Sequence, residues 1–291
     1  MSLHRMSLVL LGIASVASAE LTWGDTKFLF TFGDSYTTDG FNISAGVDSP
    51  VPGGTYNVTD TKVFNLASGG ATIDSKLVTP FEPTVLSIVD QVSQFNQFLA
   101  AKPAGAQWSS DNSLFAIWIG INDVGDSFAW TNVTQIGFHK VLMAKLFGQV
   151  EDLYEKGARS FLFLTVPPTN RAPLIIEQGR NASAQIALAL ADYNSQLKEN
   201  VRAFQAKHHD LDQVNVFDTQ PVFNTLLDNA NTFGFVNSTG FCEAYQNGTP
   251  DVTTQVAGCA PVSSYFWLNT LHPLFTVHNI LAHAISTVLS A

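Results

Sequence analysis

Four short strings in this 291-residue chain hold side chains able to make and break acyl bonds. They are Gly33-Asp34-Ser35-Tyr36, Asn65-Leu66-Ala67-Ser68-Gly69-Gly70-Ala71, Gly120-Ile121-Asn122-Asp123, and Trp267-Leu268-Asn269-Thr270-Leu271-His272-Pro273. A serine hydroxyl is a weak nucleophile until an adjacent base takes its proton. Ser35 is the candidate nucleophile, and His272, from the far end of the chain, the candidate base. Attack on an ester puts negative charge on the carbonyl oxygen. Each donor aimed at that oxygen typically accounts for about 2.7–4 kcal/mol of the barrier. The backbone N–H groups of Ser35 and Gly70 and the side-chain amide of Asn122 are the candidate donors. Glycine at 70 lets backbone approach a substrate with no Cβ in the way. Asp34 and Asp123 flank site residues and are expected to support them by hydrogen bonds rather than act as bases.

These strings need a scaffold that brings them to one place. Apolar strand-like runs cover Lys27 to Phe32, Val63 to Ala67, Leu114 to Ile119, Arg159 to Val166 and Val214 to Phe217. Helical spacing covers Pro83 to Ala100, Val133 to Lys156, Ala182 to His208, Pro221 to Asn229 and Leu274 to Ser290. Strands alternating with helices predict an α/β fold, a parallel sheet covered on both faces. In such sheets, sites lie at the carboxyl ends of the strands. The first three strings each follow a predicted strand, and the fourth precedes the last helix. Residues 20–291 read as a single domain, with a loop insertion at 231–264 that holds both cysteines.

The strings FTFGDSYTTDGFN, NLASGGAT, WIGIND and YFWLNTLHP resemble those of the SGNH (GDSL-type) hydrolases. Within that superfamily they look like the secreted fungal acetylesterases of carbohydrate esterase family sixteen. The resemblance covers nearly the whole chain from Phe28 to the last helix. It implies a three-layer α/β/α sandwich around a flavodoxin-like, five-stranded parallel sheet. It also implies removal of acetyl groups from carbohydrates such as acetylated xylo-oligosaccharides of hemicellulose. One position departs from the pattern. The superfamily usually has Asp three residues before the catalytic His, and this chain has Asn269 there. Beyond Asp251 there is no Asp or Glu to replace it. Asn269 can accept the imidazole Nδ1–H through its oxygen, but it brings no charge, and the opposite amide orientation would favour the wrong tautomer. A Ser35–His272 dyad oriented by Asn269 or a backbone carbonyl is the resulting expectation. The bland reading of Asn269 is a turn residue outside the site.

Composition narrows the partners. The net charge is −10, with 13% charged and 46% hydrophobic residues. An acidic surface repels nucleic acid and anionic membranes. Residues 1–19 read as a signal peptide, with Arg5, an apolar stretch and Ala17-Ser18-Ala19. Six Asn-x-Ser/Thr sequons stand at Asn42, Asn57, Asn132, Asn181, Asn237 and Asn247. In an oxidising compartment Cys242 and Cys259 can pair. A secreted, extracellular, monomeric glycoprotein is expected. No HExxH or paired CxxC spacing and no phosphate-cradling glycine loop occurs, so neither metal nor cofactor is expected. Trp23, Trp130 and Trp267 could stack on sugar, with Trp267 the best placed beside His272; Trp118, inside a predicted strand, reads as core packing, and Tyr36 joins Trp267 as a substrate-binding candidate. His139, His208, His209, His278 and His283 read as packing or surface groups. Two alternatives remain at this level: a lipase or thioesterase acting on longer acyl esters, and a carbohydrate-binding protein with a decayed hydrolytic site.

Overall fold

The computed structural model describes residues 21–49 and 61–290. The expected signal peptide at 1–19 and the sequon at Asn57 lie outside them. The strands are β1 (Phe28–Gly33), β2 (Lys62–Asn65), β3 (Ser113–Trp118), β4 (Ser160–Leu164) and β5 (Gln213–Phe217). The helices are α1 (Ile88–Phe98), α2 (Ile121–Ser127), α3 (Gln135–Glu155), α4 (Pro173–Ile176), α5 (Arg180–Lys207), α6 (Thr219–Asp228) and α7 (Phe275–Leu289). All strand pairs are parallel, in the order β2-β1-β3-β4-β5. That is the flavodoxin-like order, and its topological switch point falls between β1 and β3.

The strands are buried on both faces, so their sequences are near-continuous apolar runs. The pleat still sorts them. Phe30, Phe32, Phe115, Phe161 and Phe163 point to one face. There they pack with Phe95 of α1, Phe147 of α3 and Phe204 of α5. Leu29, Ala116, Leu162 and Leu164 point the other way, beneath Leu281, Ile285 and Leu289 of α7. Helices on both faces give the three-layer sandwich.

Element boundaries differ where local hydrogen bonds outrank pattern. α1 begins at Ile88 rather than Pro83, because Ser87 and Asp90 form a reciprocal capping box. β2 stops at Asn65, whose side chain accepts from Ala67 N–H and turns the chain out of the sheet. α6 starts two residues before Pro221, where Asp218 accepts from Gln220 N–H at 3.1 Å. α2 and α4 were not anticipated, since seven and four residues are too short to show a helical period. Residues 231–264 are loop and single 3₁₀ turns, pinned by the Cys242–Cys259 disulfide. Tyr245, Val262, Tyr265 and Leu274 pack around that bridge as a small separate cluster.

Candidate active site

β1 delivers Ser35 and β3 delivers Asn122, one on each side of the switch point. The turn that carries Ser35 is built by Asp34. Its carboxylate accepts from Tyr36 N–H at 3.0 Å, and its carbonyl accepts from Thr37 and Thr38 N–H. The strand end before it is clamped by Gln91 of α1. Gly33 N–H donates to Gln91 Oε1 at 2.9 Å, and Gln91 Nε2 donates to Gly33 O at 2.8 Å and Leu86 O at 2.9 Å. Gln91 is fully buried. Sequence reasoning passed over it; the available signal is a polar residue on the apolar stripe formed by Ile88, Val92 and Phe95.

Gly70 has φ +79°, a conformation that favours glycine. α2 holds the Gly70 loop from two points. Asn122 Nδ2 donates to Ala71 O at 2.8 Å, and Asp123 accepts from Ile73 N–H at 3.0 and 3.2 Å. Asn122 Nδ2 bears two hydrogens, so one is left to point at a substrate oxygen. The residue that caps the start of α2, Gly120, has φ +119°, and a Cβ there would overlap the Tyr193 ring.

The fourth string is a tight hairpin between Phe266 and Leu274. It is closed by Leu268 N–H to His272 O at 2.8 Å and Leu274 N–H to Phe266 O at 2.8 Å. Asn269 sits in the bend and His272 on the return. His272 Nε2 lies 2.7 Å from Ser35 Oγ, and His272 Nδ1 lies 3.0 Å from Asn269 Oδ1. Ser35, His272 and Asn269 thus form a continuous chain. The Tyr36 hydroxyl donates to Leu271 O at 2.6 Å, tying the serine turn to the histidine hairpin.

The family model described as GDSL-like lipase/acylhydrolase matches residues 22–285. The chain belongs to that family. It is 35% identical over 285 residues to an acetylesterase of Thermothelomyces thermophilus, covering 90% of this chain and 87% of that one. It is 21% identical over 227 residues to a thermolabile hemolysin of Vibrio parahaemolyticus, covering 76% of this chain and 50% of that one. A variant of an acetyl-xylooligosaccharide esterase from Geobacillus shares the fold at TM-score 0.50, with 16% identity and coverage of 93% and 97%. Membership and the acetylesterase relative make this GDSL hydrolase a carboxylic ester hydrolase.

The orientation of Asn269 in this GDSL hydrolase follows from its neighbours. Its Oδ1 also accepts from Leu271 N–H at 3.0 Å and His272 N–H at 2.9 Å. Backbone N–H groups only donate, so the atom facing them is the oxygen. The same oxygen then obliges His272 Nδ1 to carry its proton, leaving Nε2 as the acceptor for the Ser35 hydroxyl. Burial lowers the His272 pKa from its ordinary 6.5, which favours the neutral imidazole.

The carboxylates behind the site are displaced in the opposite sense. Burial raises Asp34 and Asp123 from 3.8 to about 7 each, against the lowering effect of their backbone hydrogen bonds. Neither touches the Ser35–His272 pair, so both sit as braces of the turn and loop. His278 lies beneath Tyr36, 6.1 Å between ring centroids. Burial, and then the neighbouring His272, push it down to about 4.

Two expected substrate contacts fail. Trp267 is 1% exposed, packs on Phe266 and donates from Nε1 to Ser238 O at 2.8 Å. The hairpin turns it inward, so proximity to His272 in sequence does not become access to the site. Tyr36 is also buried, with its hydroxyl spent on Leu271. Trp118 is in the core, its Nε1 bonded to Thr165 O. Trp23 packs against the core, and Trp130 rests on Phe138. His139 pairs with Asp192 and His208 with Glu151, while His209 and His283 are exposed. Among the described residues, no three His, Cys, Asp or Glu side chains gather as a metal-binding group.

Proposed function

We propose that this GDSL hydrolase is a secreted serine esterase that removes acetyl groups from carbohydrate, with acetylated xylo-oligosaccharides of hemicellulose as the substrate class. The observation that carries the chemistry is the 2.7 Å approach of His272 Nε2 to Ser35 Oγ, with Nδ1 held by Asn269.

Ser35 Oγ attacks the acetyl carbonyl as its proton passes to His272 Nε2. The tetrahedral oxygen is held by the N–H groups of Ser35 and Gly70 and by Asn122 Nδ2. His272 then gives its proton to the departing sugar oxygen, leaving an acetyl-enzyme. A water loses a proton to the same nitrogen and attacks that ester, releasing acetate and restoring Ser35. Asn269 cannot balance the imidazolium charge as a carboxylate would, so its contribution is confined to tautomer and ring orientation.

The 35% identical acetylesterase supports the acetyl group. The four strings and their resemblance to a carbohydrate esterase family support the sugar. The leader-like residues 1–19, the disulfide and the exposed sequons Asn42, Asn132, Asn181 and Asn247 support secretion and glycosylation. Asn237 is half-buried, and its Oδ1 already accepts from Thr239 and Gly240 N–H.

Acetate release followed by NMR on a mixture of acetylated xylo-oligosaccharides tests the reading and maps the hydroxyl attacked. Acetyl loss from the sugars is expected, with p-nitrophenyl acetate preferred over the octanoate. Intact acetylated sugars together with preference for octanoate would replace the reading by that of a lipase.

A further inference from the structure

Phe81 has no place in the chemistry above, yet it stands at the edge of the site. It is 76% exposed, the most exposed of the large apolar side chains among the described residues. The Cδ1–Cε1 edge of its ring lies against Gly70: a Cβ built on that glycine would overlap both atoms. Single exposed apolar residues are common and need no explanation. A phenyl ring in contact with an oxyanion-hole glycine is a narrower observation.

The segment around it is tied down on both sides. Thr72 Oγ1 donates to Val78 O at 2.9 Å, and Pro80 is buried. Downstream, Leu86 N–H donates to Ser68 Oγ at 3.2 Å, and Gln91 Nε2 holds Leu86 O. Pro80 and Pro83 bracket the ring and restrict the backbone there. The loop that carries Gly70 and the turn that carries Phe81 are therefore one braced unit. The exposed ring of Phe81 is thereby held against Gly70.

We propose that Phe81 is the sugar-binding platform of the active site, its ring face taking the C–H face of the pyranose that bears the acetyl group or its neighbour. The inference rests on the carbohydrate reading above. The negative face of an aromatic ring attracts polarised C–H groups, and a rigid ring loses little freedom on binding. A flat, open surface suits a sugar ring. An acyl methyl would instead need a small enclosed pocket. The sugar-stacking role expected of Trp267 thus passes to a residue on the opposite, Gly70 side of the site.

The test is steady-state kinetics on acetylated xylotriose and on ethyl acetate, which has no ring to stack. Phe81→Ala should lower the ratio of kcat/KM on the sugar to that on ethyl acetate by about tenfold, mostly through KM. Phe81→Trp should restore the ratio, and Phe81→Leu, which keeps apolar bulk without a ring face, should not. The side chain is exposed, so all three should fold, and circular dichroism checks this. An unchanged ratio in Phe81→Ala, or full retention in Phe81→Leu, overturns the platform. So does a shift in acyl-chain preference with the sugar KM unmoved. Failure of the wild-type enzyme to deacetylate xylotriose sinks the substrate reading itself, which distinguishes the two failures.

Discussion

A single amide oxygen decides how the dyad is set. Asn269 Oδ1 receives two backbone N–H groups and the imidazole Nδ1, so tautomer control survives without a carboxylate. The base must be neutral to act, and burial holds His272 below 6.5. The acid limb of kcat/KM is therefore expected below pH 6.5. Asn269→Asp adds a charge that favours imidazolium. Its limb should move to higher pH, and its kcat on the alkaline side should rise. A pH–rate profile that does not change would remove Asn269 from the catalytic arrangement. The meeting of Ser35 with His272 was legible in sequence because each sits in a short string with its own local turn chemistry. The contact of Asn269 with the imidazole was expected from its place three residues before His272, but the orientation of its amide was not legible, since that depends on which donors the folded hairpin presents. The fate of Trp267 was hidden for the same reason: only the hairpin shows which side faces in.

Elements matter through the braces between them. Gln91 belongs to α1 yet fixes the last residue of β1, and through it the turn that carries Ser35. Gln91→Leu would leave the Gly33 N–H, Gly33 O and Leu86 O groups without this partner. Each buried group so exposed costs about 1–3 kcal/mol. The urea midpoint should fall by at least about 2 kcal/mol equivalent, and kcat should fall with it. A stable variant of normal kcat would show that the clamp is dispensable. The strands and long helices were readable as periodic runs, with ends displaced by a few residues. The clamp was not readable, because it joins residues that only the α1–β1 packing brings together. α2 escaped for its shortness, although its first turn carries Asn122 and Asp123.

At the scale of the whole molecule, five parallel strands in the order β2-β1-β3-β4-β5 put Ser35 and Asn122 on either side of one switch point. The same packing buries two carboxyls there. Asp34 and Asp123 titrate near 7 in the fold but near 3.8 when released. Between those values the folded state holds protons that the unfolded state gives up. Their contribution to stability therefore falls as pH rises from about 4 to 7. His272 and His278 act oppositely, losing stability as pH drops below 6.5. Asp123→Asn keeps an acceptor for Ile73 N–H and abolishes one titration. Its Tm should decline less than that of the wild type between pH 5 and 8, and an equal decline would contradict the raised pKa. The proposed chemistry requires that Ser35 is the group that becomes acylated. The direct test is labelling with diethyl p-nitrophenyl phosphate, followed by digestion and mass spectrometry of wild type and His272→Ala. A single phosphoryl adduct on Ser35, lost or greatly slowed in His272→Ala, is the expected result. An adduct on another residue, or equal labelling without the histidine, would contradict the account.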